Sequence, residues 1–292
     1  MVLLTMILTK YALINSFTTN IYLSHLEFLT LILSVLLITA GGYIINDIFD
    51  IETDKINKPD KVFVNVSISR KNAWLSYIIL TLLGLILGVA LSIYKSQTYL
   101  SVIFIITVIG LFIYSKTLKN KILIGNILVS CFVGLTIFLV FSFELYKGFK
   151  TSKDNITNVF KLLFPFWSVL GYFLFAFLTT LIREIIKDIE DINGDLKIKA
   201  KTLPIAIGRK RASKVAFFFT SILLLFLFIV LQLVRNEYLF LAYGMVFLLL
   251  PLLYFMYKLW IAASKKDFSK LSNQMKVIMF FGILSMLLFK FI

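Results

Sequence analysis

LEFLTLILSVLLITAGGYIINDIFDIETD, residues 26–54, runs from a largely apolar stretch straight into four carboxylates, Asp47, Asp50, Glu52 and Asp54. About twenty apolar residues are enough to cross the hydrocarbon core of a bilayer, so this segment predicts a membrane helix with an acidic end. The same reading, carried along the chain, predicts helices near 2–17, 27–46, 73–94, 98–115, 122–144, 163–186, 214–234, 238–260 and 274–291. The expected fold class is therefore all-α: a polytopic membrane protein, a bundle of nine transmembrane helices, built as a single domain over residues 1–292.

Composition agrees. The chain is 60% hydrophobic and 15% charged, with a mean hydropathy of +0.95, whereas soluble domains are about 45–50% apolar and about 25% charged. Its N-terminus is apolar but has neither a basic leader nor a small-residue cleavage site, which reads as a first membrane helix and not as a removed signal peptide. Cys131 is the only cysteine and His25 the only histidine. Disulfide frameworks, Cys/His zinc sites and histidine-based triads are thereby excluded, and chemistry is left to carboxylates, Lys, Arg, Tyr or a metal held by oxygen.

Charge orients the bundle. Lys and Arg number five after the second stretch (Lys55, Lys58, Lys61, Arg70, Lys71) and three after the fourth (Lys116, Lys119, Lys121). Nine more surround the end of the sixth (Arg183, Lys187, Lys197, Lys199, Lys201, Arg209, Lys210, Arg211, Lys214), and five the turn between the eighth and ninth (Lys258, Lys265, Lys266, Lys270, Lys276), 22 of the 30 in all. The opposite loops hold six, Lys95, Lys147, Lys150, Lys153, Lys161 and Arg235. The positive-inside rule then puts the N-terminus and the ends of the even-numbered helices in the cytoplasm, with the chain in the cell inner membrane. The net charge of +15 suits anionic lipid headgroups or an anionic substrate, while nucleic acid is a poor fit because no soluble basic domain exists. No obligate protein partner is signalled.

Against this basic face, ten of the fifteen carboxylates fall in two short segments, 47–60 and 184–195, each at the end of an even-numbered helix. Asp47, Asp50 and Asp54 are spaced i, i+3, i+7, and so are Asp188, Asp191 and Asp195. On a helix of 3.6 residues per turn each trio shares a face, joined by Glu184, while Glu52 and Glu190 point elsewhere. Such stacks repel and need a cation. An all-oxygen, multi-carboxylate site suits Mg2+, which binds through one or two carboxylates plus substrate phosphates. The competing reading is a solvated helix end, its acids paired with neighbouring Lys and Arg.

NDIFDIETD (46–54), DIEDINGD (188–195), YSKTLK (114–119) and KTLP (201–204) together resemble the UbiA superfamily of intramembrane prenyltransferases. That family carries NDxxDxxxD and DxxDxxxD motifs on the second and sixth of nine helices. The likeness spans most of the chain. Where many members have Asn-Arg-Pro-x-Arg-Pro, this sequence reads INKPDKVF (56–63), with lysines for both arginines and the second proline absent. Lysine offers a point charge and not the two-pronged fork of arginine. The chain also begins almost inside its first apolar stretch, without the family's short amphipathic lead-in.

The resemblance implies ionisation of an allylic isoprenyl diphosphate and capture of the carbocation by a lipophilic acceptor. It implies Mg2+ on Asp47, Asp50, Asp54, Asp188, Asp191 and Asp195, with Asn46 as a neutral oxygen donor. Asp50, Asp54, Asp191 and Lys119 become the candidate catalytic residues. Lys58, Lys61, Lys116, Arg183 and Lys201 are candidates for the phosphates, with Tyr114 beside the diphosphate or the cation, and some of the 30 phenylalanines lining an isoprenoid tunnel. The run DKINKPDK (54–61) looks most like the geranylgeranylglycerol-phosphate geranylgeranyltransferase branch, which implies a geranylgeranyl donor and geranylgeranylglyceryl phosphate as acceptor. An aromatic quinone precursor, such as 1,4-dihydroxy-2-naphthoate or 4-hydroxybenzoate, is the alternative acceptor. A membrane cation transporter is a more distant reading, disfavoured because transporter acids sit near the midplane and these sit at helix ends.

Overall fold

The computed structural model describes residues 1–17, 22–151 and 156–291; for Lys61 and residues 145–151 and 156–164 it describes the main chain alone. Among the described residues there is no strand, only an isolated bridge between Val64 and Ile68. The principal helices are α1 (Val2–Ser16), α2 (His25–Asn57), α3 (Arg70–Tyr94), α4 (Thr98–Lys116), α5 (Ile124–Thr151), α6 (Ile156–Lys197), α7 (Arg209–Leu233), α8 (Tyr238–Ile261) and α9 (Lys265–Phe291). Eight are long and apolar enough to cross a membrane. The exception, α1, spans 15 residues including a π turn at Thr9–Leu13. At about 1.5 Å per residue it reaches roughly 22 Å, short of the roughly 30 Å of hydrocarbon. The chain is an integral membrane protein with helices where its apolar stretches predict them.

Helix starts have local causes. Ser24 opens α2 with a reciprocal cap, its hydroxyl accepting from Glu27 N while Glu27 Oε2 accepts from Ser24 N at 2.7 Å. Ser264 and Asp267 repeat the arrangement at α9. Gly208 stands at the N-cap of α7 with φ 85°, a conformation that costs glycine little.

The chain divides into two compact units, and the division falls inside α5 and α6. One unit comprises Leu23–Val129 with Asp191–Ala206. In it α2 and α3 pack closely because glycine removes the side chains between them: a Cβ on Gly84 would lie 2.9 Å from the main-chain oxygen of Ser34. That approach lets Ser34 Oγ donate to Gly84 O at 2.7 Å, a buried bond between helices where lipid offers no alternative partner. Ile45, Ile48 and Ile51 form the core below it with Val64 and Ala73. α2 is the longest helix of this unit, 33 residues or about 50 Å, so roughly a dozen residues exceed what the hydrocarbon needs. The first acidic segment lies on that excess.

The second unit comprises Met1–Tyr22, Ser130–Glu190 and Ile207–Ile292. Tyr172 and Ser285 share a hydrogen bond at 2.8 Å, and Tyr243 Oη donates to Phe281 O at 2.8 Å. This unit also holds an ion pair absent from the loop counts above: Lys10 Nζ meets Glu144 Oε1 at 2.6 Å, with side chains 0% and 2% exposed. Glu144 Oε2 also accepts from Tyr22 N at 3.0 Å. Removing one member of a buried pair strands the other charge, at about 3–5 kcal/mol. Lys10→Met is expected to lower the detergent melting temperature sharply, and Lys10→Met with Glu144→Gln to recover most of the loss; tryptophan fluorescence during heating checks both.

Candidate functional site

In the unit built from 23–129 and 191–206, the ends of α2 and α6 bring the first acidic segment against Asp191 and Asp195. Asp50 and Asp54 are half-buried, while Asp47 and Glu52 are exposed. Asn46 sits one turn before Asp50 and donates from Nδ2 to Asp50 Oδ2 at 2.7 Å. The opposite oxygen of Asp50 is paired with Lys119 Nζ, and Lys119 also reaches Asn46 Oδ1 at 3.4 Å. Lys119 comes from the turn Leu118–Asn120 that follows α4, so the YSKTLK element reaches the first motif directly.

A second cation does the same for the second motif. α2 ends at Asn57, and Lys58 leaves the helical conformation (φ −149°, ψ 62°). Its Nζ meets Asp191 Oδ2 at 2.7 Å. Asp191 Oδ1 is buried and has no hydrogen-bond partner among the described residues. Asp195 Oδ2 accepts from Thr202 Oγ1 at 3.3 Å, and the segment after α6 is tied down where Lys201 N donates to Asn120 O at 2.8 Å. Asn57 holds α6 from the other side, donating from Nδ2 to Asp191 O at 2.8 Å and accepting at Oδ1 from Gly194 N at 3.0 Å.

The remaining candidates are placed as follows. Lys116 is exposed, with Nζ 5.9 Å from the Phe112 ring centroid. Tyr114 is half-buried on α4, and Lys201 is exposed apart from its main-chain bond. The side chain of Lys61 lies outside the described residues. Asp188 and Arg183 belong to the other unit; there Arg183 Nη1 pairs with Glu184 Oε1 at 2.6 Å, and Lys187 Nζ stands 3.6 Å from Glu184 Oε2. For Glu184, therefore, pairing with neighbouring cations on its own helix is what the structure contains. Asn57, Gly194 and Thr202 belong to the site and were not among the residues singled out by spacing.

Among the described residues, no three His, Cys, Asp or Glu side chains converge as a ready-made metal cage. The donor set fits Mg2+ in another way. A hard cation that takes one or two carboxylates, and completes its shell with water and phosphate oxygens, suits Asp50 and Asp191, each half-buried and the latter with an unsatisfied oxygen. Lysine ammonium groups fill the same electrostatic need in the present arrangement. Asp191→Asn is expected to weaken Mn2+ binding in the presence of inorganic diphosphate by more than about 100-fold, beyond the loss usual for an outer-shell partner; electron paramagnetic resonance of free Mn2+ gives the measure.

Comparison with known proteins gives concordant matches. The profile of the UbiA prenyltransferase family matches residues 2–284. A digeranylgeranylglyceryl phosphate synthase of Saccharolobus solfataricus is 35% identical over 271 residues, covering 90% of this chain and 86% of that protein. One of Methanosphaera stadtmanae is 33% identical over 256 residues, covering 87% and 84%. A solved structure from work on the biosynthesis of digeranylgeranylglyceryl phosphate synthase in membranes superposes with a TM-score of 0.62 at 26% identity, covering 98% of this chain and 96% of its own. A UbiA homolog of Archaeoglobus fulgidus, solved bound to GPP and Mg2+, shares the fold with a TM-score of 0.58 at 17% identity, covering 98% and 96%.

Proposed function

This chain belongs to the UbiA prenyltransferase family, and on that premise we propose that it transfers a geranylgeranyl group from its diphosphate to the hydroxyl of geranylgeranylglyceryl phosphate. The observation that carries the reading is the joining of two acidic helix ends in one unit by Lys58 on Asp191, with Lys119 of the turn after α4 on Asp50. The relatives named as digeranylgeranylglyceryl phosphate synthases support the acceptor, and the homolog solved with GPP and Mg2+ supports a diphosphate donor and that metal. A family match running from residue 2 to 284 supports a single catalytic domain. The distribution of lysine and arginine supports an active site facing the cytoplasm.

The residues divide the work by charge. Asp50, Asp54, Asp191 and Asp195 hold Mg2+ in this reading, with Asp47 and Asp188 as further ligands and Asn46 as a neutral oxygen donor. When bound, Mg2+ supplies Lewis-acid neutralisation of the diphosphate. Lys119 and Lys58 compensate Asp50 and Asp191 in the present arrangement, and their ammonium groups would be at hand for the phosphate oxygens of a bound diphosphate. Those ammonium groups then stabilise the negative charge that grows as the allylic C–O bond breaks and its electron pair leaves with the diphosphate. A lone pair of the acceptor hydroxyl captures the allylic cation, and the hydroxyl proton passes to a site carboxylate or to the departing diphosphate. Lys61, Lys116, Arg183, Lys201 and Tyr114 are proposed to contact the substrate.

Purified protein with geranylgeranyl diphosphate and Mg2+ is expected to release diphosphate and form an ether product only when geranylgeranylglyceryl phosphate is added, and Asp191→Asn to lose at least about 100-fold of that rate, the scale on which electrostatic stabilisers act. Release that depends instead on 1,4-dihydroxy-2-naphthoate or 4-hydroxybenzoate would move the assignment to quinone biosynthesis. No release with any acceptor would overturn the reading.

A further inference from the structure

Asn57 is the last residue of α2, three positions beyond Asp54, and only 8% exposed. Its amide is used from both ends. Nδ2 donates to Asp191 O at 2.8 Å and Oδ1 accepts from Gly194 N at 3.0 Å, so one planar group grips a carbonyl and an N–H within a single turn of α6. A carboxylate in its place lacks the donor and a leucine lacks both. Gly194 is the counterpart of this grip: a Cβ there would stand 2.8 Å from Asn57 Cγ and 2.9 Å from Thr53 Cγ2, so a side chain at 194 displaces the amide. The next residue, Lys58, takes the carboxylate of Asp191 at 2.7 Å. Asp191 is therefore held twice from the end of α2, by its main chain through Asn57 and by its carboxylate through Lys58, with Oδ1 buried and without a hydrogen-bond partner among the described residues.

We infer that Asn57 is a positioning residue that sets the spacing between the two acidic motifs, acting through the main chain of Asp191 and Gly194 and touching neither substrate nor metal. The inference rests on the reading above, in which Asp191 and Asp195 hold a divalent cation with the diphosphate. Two carboxylate helices repel when they carry no cation, and a neutral amide opposes that separation without adding charge of its own. Partners that orient ligands from the outer shell are worth about 10- to 100-fold in metal affinity.

The full chain in detergent is titrated with Mn2+ in the presence of inorganic diphosphate, free Mn2+ being read by electron paramagnetic resonance, beside kcat and KM for geranylgeranyl diphosphate. Asn57→Ala is expected to weaken Mn2+ binding about 10- to 100-fold and to raise the Mg2+ concentration needed for half-maximal rate by a similar factor. Ser34→Ala, which removes a buried bond between helices elsewhere in the same unit, is expected to lower the melting temperature and leave Mn2+ affinity as it was. Gly194→Ala breaks the same grip from α6, and because its Cβ also meets Thr53 Cγ2 at 2.9 Å it is expected to weaken Mn2+ binding at least as much as Asn57→Ala. Wild-type Mn2+ affinity in both Asn57→Ala and Gly194→Ala, or an equal loss in Ser34→Ala, overturns the positioning role. Failure of the metal reading looks different: wild-type protein and Asp191→Asn would then bind Mn2+ equally.

Discussion

A carboxylate at the end of a membrane helix has to be compensated, because nearby hydrocarbon neither solvates a charge nor screens its neighbours. Asp50 and Asp191 meet that demand with Lys119 and Lys58, drawn from the turns just after α4 and α2. These pairs cross between chain segments far apart in sequence, and so the neutralisation of the acids is also what fastens the end of α2 to the YSKTLK turn and to the end of α6. Thr202 on Asp195 and the main-chain bond from Lys201 to Asn120 extend the same fastening. Polar function and polar structure are not separable here.

Much of this was legible beforehand. Apolar length alone places the helices, since the lipid imposes one solution on a backbone that must satisfy its own hydrogen bonds; the predicted 73–94 and 238–260 meet Arg70–Tyr94 and Tyr238–Ile261. The acidic segments were legible because ten carboxylates concentrated in two places is a departure that lipid makes costly. Helix ends were less so. α2 runs on to Asn57 and α6 to Lys197, since no proline interrupts either acidic stretch and the helix continues until Pro59 and the turn after Lys197.

What escaped is what depends on tertiary neighbours. Spacing grouped Asp47 with Asp50 and Asp54 and could not show that Asn46, one position earlier, donates to Asp50. Positions 46, 50, 54 and 57 form the inward stripe, and no charge count reveals a neutral asparagine on it. Gly194 looks like an interruption of an acidic motif until Asn57 stands against it. Glu184 shares the periodicity of the second motif and yet pairs with Arg183 and Lys187, because a nearby cation on the same helix is the cheapest partner. Lys10 and Glu144 lie on separate apolar stretches where each looks like an isolated defect, and only their contact explains either.

That last pair has a consequence for how the protein is made. Lys10 lies on α1 and is synthesised before its counter-charge, which stands 134 positions later at Glu144 on α5. At roughly 5–20 residues per second, Glu144 follows Lys10 on the order of ten seconds later. Until then the ammonium group of Lys10 has to stay with water or headgroups at the membrane surface. Lys10 therefore reaches its final, buried place only after α5 has been made, so the order in which these helices are translated is not the order in which their charges are seated.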